Sequence, residues 1–144
     1  AGVPLLGFCA MIGIDTNVIV RLIVNDDERQ SRAAERFIRE HGGSGEPCYV
    51  SDVTLIETVW VLETVYGYDR TMVADALAGL LEAEQLEFGS AIDIANAVED
   101  FRLGRAGFAD CLIGRINLLA GCTHTVTFDR KAAKLAGFEL LKVM

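Results

Sequence analysis

The chain has 144 residues, 51% of them hydrophobic and 24% charged, and carries a formal net charge of −8 from 21 acidic and 13 basic side chains. Such a chain can bury a full core and is not pervasively disordered, while its acidic balance argues against holding nucleic acid by bulk electrostatics, which needs clustered Lys and Arg. No uninterrupted apolar run approaches the roughly 20 residues of a membrane-spanning helix, so no membrane partner is expected.

The four cysteines, Cys9, Cys48, Cys111 and Cys122, have no paired short spacing, which argues against a zinc-type ligand set. The apolar neighbours of Cys48, Cys111 and Cys122 read as reduced core thiols of a cytoplasmic protein. Ala1–Ala10 has no charge and no period, and lacks the basic start and cleavage pattern of a signal peptide. It reads as an extraneous remnant or a disordered extension, with a single domain over residues 11–144.

In chain order, Ile12-Gly13-Ile14 is a short apolar strand that meets Asp15, and Thr16-Asn17 opens a helix through Val24. Asp15 therefore ends a first strand, at the edge where open α/β sheets bind ligands, or else is a simple helix cap. Asn25-Asp26-Asp27 is a turn, and Glu28 to His41 a helix with the apolar stripe Ala33, Ala34, Phe37 and Ile38. Arg29, Arg32, Arg36 and Arg39 on another face could bind phosphate, but the i,i+4 pairs Glu28–Arg32 and Glu35–Arg39 favour a solvated face.

Gly42-Gly43-Ser44-Gly45 is a loop, Cys48-Tyr49-Val50 a buried strand, and Ser51 the cap of a helix from Asp52 to Tyr66. That helix is apolar nearly all round, which predicts burial on several sides and a homodimer. Glu57 shares a stripe with Val53, Ile56, Trp60 and Val61, where a carboxylate is costly unless paired, protonated or bound to a cation; the alternative is that it points outward at an edge, for which so apolar a helix leaves less space than usual. On that basis Glu57→Gln should stabilise the metal-free protein.

Arg70 to Glu84 is a helix with Leu77, Leu80 and Leu81 inward, Leu86-Glu87-Phe88 a strand, and Ala91 to Leu103 a helix burying Ile94, Val98 and Phe101. Phe108 to Ala120 is a further helix. It carries Asp110 on the stripe of Ile113 and Asn117, either as a functional acid or as a first-turn carboxylate satisfying orphan N–H groups. Thr123 to Phe128 alternates as a strand ending at Asp129, a short helix follows from Arg130-Lys131, and Glu139-Leu140-Leu141 is a last strand. Strands alternating with helices predict an α/β fold with a mainly parallel sheet covered on both faces.

Four carboxylates thus fall at strand ends or on apolar helices: Asp15, Glu57, Asp110 and Asp129. Like charges gathered in one crevice repel by several kcal/mol at an intermediate effective dielectric, and such a cluster persists when it binds hard cations. Oxygen donors without His or Cys favour Mg²⁺ or Mn²⁺, suited to phosphodiester hydrolysis.

Ile14-Asp15-Thr16-Asn17, Glu57 within Thr54 to Leu62, Phe108-Ala109-Asp110 and Thr127-Phe128-Asp129 resemble the four acidic signatures of PIN-domain ribonucleases. The length resembles the toxin of a VapBC-type toxin–antitoxin pair. The resemblance implies a three-layer α/β/α sandwich, Mg²⁺- or Mn²⁺-dependent endonucleolytic RNA cleavage, a homodimer, and an antitoxin partner whose tail enters the acidic groove. It makes Asp15 and Asp110 the principal metal ligands, with Glu57 and Asp129 completing the pocket. Thr16, Asn17 and Thr127 would orient carboxylates or the scissile phosphate, and Arg21, Arg130, Lys131 and Lys134 are the nearest basic candidates.

A receiver-type phosphoacceptor would want a second acid beside the first and an Asp after the central strand, but Gly89 follows Phe88. A haloacid-dehalogenase-type phosphatase would want Asp at Asn17. The rival from another class is a non-catalytic module whose acidic groove docks a basic partner peptide.

Overall fold

A computed structural model describes residues 11–42 and 45–144 of the chain. The expectations for Ala1–Ala10, and for Gly43 and Ser44 of the glycine loop, lie outside the described residues. The elements are β1 (Ile12–Gly13), α1 (Thr16–Ile23), α2 (Glu28–Gly42), β2 (Cys48–Val50), α3 (Asp52–Thr64) and α4 (Arg70–Glu82), then β3 (Leu86–Phe88), α5 (Ala91–Leu103), α6 (Phe108–Leu119), β4 (Thr125–Thr127), a 3-10 turn at Ala132–Lys134 and β5 (Phe138–Leu140). Every strand pairing among the described residues is parallel, as connections through helices require.

The chain divides into two compact units. The first comprises residues up to Gly67 together with Gly79–Gly89, the second Tyr68–Ala78 with Ser90–Met144. In the first, β1, β2 and β3 form a sheet in that order, with Ile12 opposite Cys48 and Cys48 opposite Leu86. Helix α1 packs on both α2 and α3 there, and Ile19, Val20, Leu55, Val59 and Leu62 are buried. Ser51 caps α3 as its sequence predicts, its Oγ accepting the Thr54 N–H at 3.2 Å.

The second unit pairs β4 with β5, Thr125 opposite Phe138, and packs α5 on α6 over Ile94, Val98, Phe101 and Leu112. Helix α6 ends at Gly121, φ 100°, with the Cys122 N–H bonded to the Asn117 carbonyl and the Gly121 N–H to the Leu118 carbonyl. This is the Schellman arrangement, which needs a residue free to adopt positive φ.

Three expectations are corrected. The face of α3 bearing Val53 and Trp60 is exposed, 73% and 62%, because Leu55, Thr58, Val59 and Leu62 alone form its inward side. Ala33, expected inside, is exposed, since only Ala34 and Ile38 of that stripe reach the core. Cys122 is exposed rather than a core thiol, because it lies past the end of α6, while Cys48 and Cys111 are buried. Burial pushes the Cys111 thiol up to about 11 and raises that of Cys48.

Candidate active site

Asp15 follows β1 and caps α1 with extended backbone, φ −81° and ψ 162°. Its Oδ1 accepts the Thr16 N–H at 2.8 Å, and its carbonyl accepts those of Val18 and Ile19 at 3.1 and 3.2 Å. The capping role is therefore real, but it occupies a single carboxylate oxygen. The residue is exposed and lines a cleft of about 530 Å³ with Asn17, Arg21, Gln30 and Phe37. A second cleft of about 380 Å³ is lined by Thr16, Asn17, Arg21, Glu57, Trp60 and Tyr66. The first unit thus gathers Glu57 with Thr16 and Asn17, and Asn17 and Arg21 border both clefts.

Glu57 is exposed, on the same solvent-facing side of α3 as Val53 and Trp60. The burial expected for it is not present, because that side lies away from the core. A carboxylate in water has no desolvation penalty to relieve, so Glu57→Gln should leave stability nearly unchanged.

Arg21 is engaged rather than open. Its Nη1 pairs with Asp26 and donates to the Tyr66 hydroxyl at 3.3 Å, and its Nε donates to Gln30 Oε1 at 2.8 Å. The Tyr66 hydroxyl donates to Asp26 Oδ2 at 2.8 Å. That hydrogen bond first, and the Arg21 charge after it, hold the Asp26 carboxyl below its ordinary range. Sequence reasoning did not find this network, since no local pattern links Asp26 to Tyr66.

In the second unit Asp110 is the third residue of α6, whose N-cap, Gly107, offers no side-chain cap bond. Asp110 is half-buried. Burial first, and the charge of Asp129 second, push its carboxyl above the ordinary aspartate range. Two acids 19 positions apart are thereby within electrostatic reach. Asp129 is exposed; its Oδ1 accepts the Lys131 and Ala132 N–H groups at 2.8 and 3.4 Å, and its own N–H donates to Thr127 Oγ1 at 3.0 Å. Thr127 therefore fixes the turn that carries the acid. Asn117 Nδ2 donates to Thr125 Oγ1 at 2.9 Å, tying α6 to β4. Arg130, Lys131 and Lys134 are exposed.

Among the described residues, no group of three or more His, Cys, Asp and Glu is spaced to hold a metal ion. The chemistry of the donors nonetheless suits a hard divalent cation: they are carboxylate oxygens, and a bound cation would offset the burial and, second to it, the Asp129 charge that raise the Asp110 carboxyl. No helix among the described residues is long and apolar enough to cross a membrane.

Comparison with known proteins gives two findings. The PIN domain family matches residues 12–138. The VapC ribonuclease of Aquifex aeolicus (strain VF5) is 26% identical to the chain over 126 residues, which are 88% of this chain and 92% of that protein.

Proposed function

The chain belongs to the PIN domain family, and with it to the three-layer α/β/α class; from that premise we propose that it is a metal-dependent endoribonuclease, the toxin of a type II toxin–antitoxin pair. The reading takes residues 11–144 as one nuclease domain acting in the cytoplasm as a homodimer, with a cognate antitoxin as its partner. The similarity to a VapC ribonuclease over nearly the whole of both chains supports the RNA substrate and the antitoxin. The observation that carries the chemistry is that the four acids Asp15, Glu57, Asp110 and Asp129, whose motifs run in family order, all fall within the PIN match over residues 12–138.

In this proposal Asp15 and Asp110 hold the ion directly, and Glu57 and Asp129 complete the acidic set. A bound Mg²⁺ or Mn²⁺ supplies an activated water and neutralises charge on the phosphate. Thr16 has its backbone N–H on Asp15 Oδ1 and so keeps that carboxylate in one rotamer, leaving the other oxygen for the ion. Asn17 offers an amide at the junction of the two clefts of the first unit, suited to a phosphate or ribose oxygen. Thr127 holds the Asp129 turn.

Asp15→Asn tests the reading. Asparagine keeps the oxygen that caps Thr16, so the fold should persist, while a neutral amide is a poor ligand for a hard cation. Cleavage of single-stranded RNA in Mg²⁺ or Mn²⁺ should fall at least about 100-fold. Undiminished cleavage would remove the site assignment. Absence of metal-dependent cleavage in the unaltered protein would leave the docking module as the function.

A further inference from the structure

We infer that Arg70 is a positioning residue for Asp110, acting through the turn between α5 and α6; the inference rests on the assignment of Asp110 to the active site. Arg70 is the first residue of α4, and Asp69 before it caps that helix, its Oδ1 accepting the Met72 N–H at 2.8 Å. Among the described residues the guanidinium pairs with backbone carbonyls and with no carboxylate. It donates from Nη1 to the carbonyls of Phe101 and Ala106, at 2.8 and 2.7 Å, and from Nη2 to the Arg105 carbonyl at 3.2 Å. Its carbon stands 4.4 Å from the centre of the Phe101 ring, a cation–π distance.

Those contacts bracket one turn. Phe101 lies in the last turn of α5, where carbonyls have no helical partner and a cation is favoured. Arg105 and Ala106 precede Gly107, the N-cap of α6, and a Cβ added at Gly107 would lie 3.9 Å from Asp110 Oδ2. The Phe101 ring packs edge-on against Phe108, centroids 6.0 Å apart at 85°, and Phe108 is two residues before Asp110. Phe101, Ala106 and Phe108 are all buried.

The start of α6 lacks a capping side chain of its own. Its orientation is set instead from outside, by a planar fork of donors that spans three carbonyls on both sides of Gly104. An ammonium cannot reproduce that fork, because it is a point charge with no fixed planar geometry. Arg70 thus does for the turn before Asp110 what Thr127 does for the turn of Asp129.

The test compares Arg70→Lys and Arg70→Gln with the unaltered protein, at a temperature where all three remain folded. Two readouts are used. Amide hydrogen exchange of the metal-free protein should quicken over Arg105–Asp110 in both variants, more in the glutamine variant, and stay unchanged in α2 and β2. Cleavage of single-stranded RNA should show kcat falling at least tenfold in Arg70→Gln and less in Arg70→Lys, with KM within about twofold. Unchanged exchange over Arg105–Asp110 overturns the inference, as does unchanged kcat, or a loss that scales with the unfolded fraction. If Asp110→Asn cleaves RNA at full rate, the active-site assignment fails instead, and the exchange data still decide whether Arg70 holds the turn.

Discussion

Asp26 is held below its ordinary range by the Tyr66 hydroxyl and the Arg21 guanidinium, and because Asp26 is itself exposed, screening by solvent keeps the effect small. A depressed carboxyl pKa contributes stability above the unfolded value, and that contribution is lost as pH falls through the lower, folded value. Tyr66→Phe should therefore lower Tm at neutral pH, with the difference shrinking once Asp26 is protonated. Melting curves from neutral to strongly acidic pH check this; a constant difference would contradict it. Gly114 makes a second residue-scale case. A Cβ there would run into the ring of Phe138, at its Cε1. Alanine raises helix propensity by roughly 1 kcal/mol, but forcing the ring aside costs roughly 1–3 kcal/mol, so Gly114→Ala should lower Tm, and a rise would show that Phe138 moves freely.

Helix α3 exposes Val53 and Trp60 on one side and buries Leu55, Thr58, Val59 and Leu62 on the other. An apolar face of this kind is the feature that favours a homodimer in solution. Sedimentation at micromolar concentration should give twice the chain mass, and Val53→Asp should return it to one chain; a monomer for the unaltered protein would contradict the dimer. At this scale the sequence was legible where local signals were strong. Ser51 bounded α3 as its cap, and the short strands Cys48–Val50 and Leu86–Phe88 stood between breakers. It was illegible where hydrophobic residues stood on more than one face. Composition cannot say which side of α3 meets the core, and so Glu57 was expected inside and lies outside. Asp110 was the reverse case: its first-turn position allowed a cap or a functional acid, and only the folded chain brings Asp129 near it. The Arg70 fork escaped reading because its partners are backbone carbonyls, which leave no trace in residue identity.

At the scale of the molecule, Asp15 and Glu57 belong to one compact unit and Asp110 and Asp129 to the other, while the family match runs through both. The four motifs are short and far apart along the chain, and their order is what the family resemblance rests on. The central claim is that Asp15, Glu57, Asp110 and Asp129 are each needed for one metal-dependent reaction. It is tested most directly by measuring Mn²⁺-dependent cleavage of one single-stranded RNA by Asp15→Asn, Glu57→Gln, Asp110→Asn and Asp129→Asn side by side. The account predicts that each variant remains folded and loses at least about tenfold in rate, the first and third most, as removal of direct ligands requires. Full activity in both variants of either unit would contradict it.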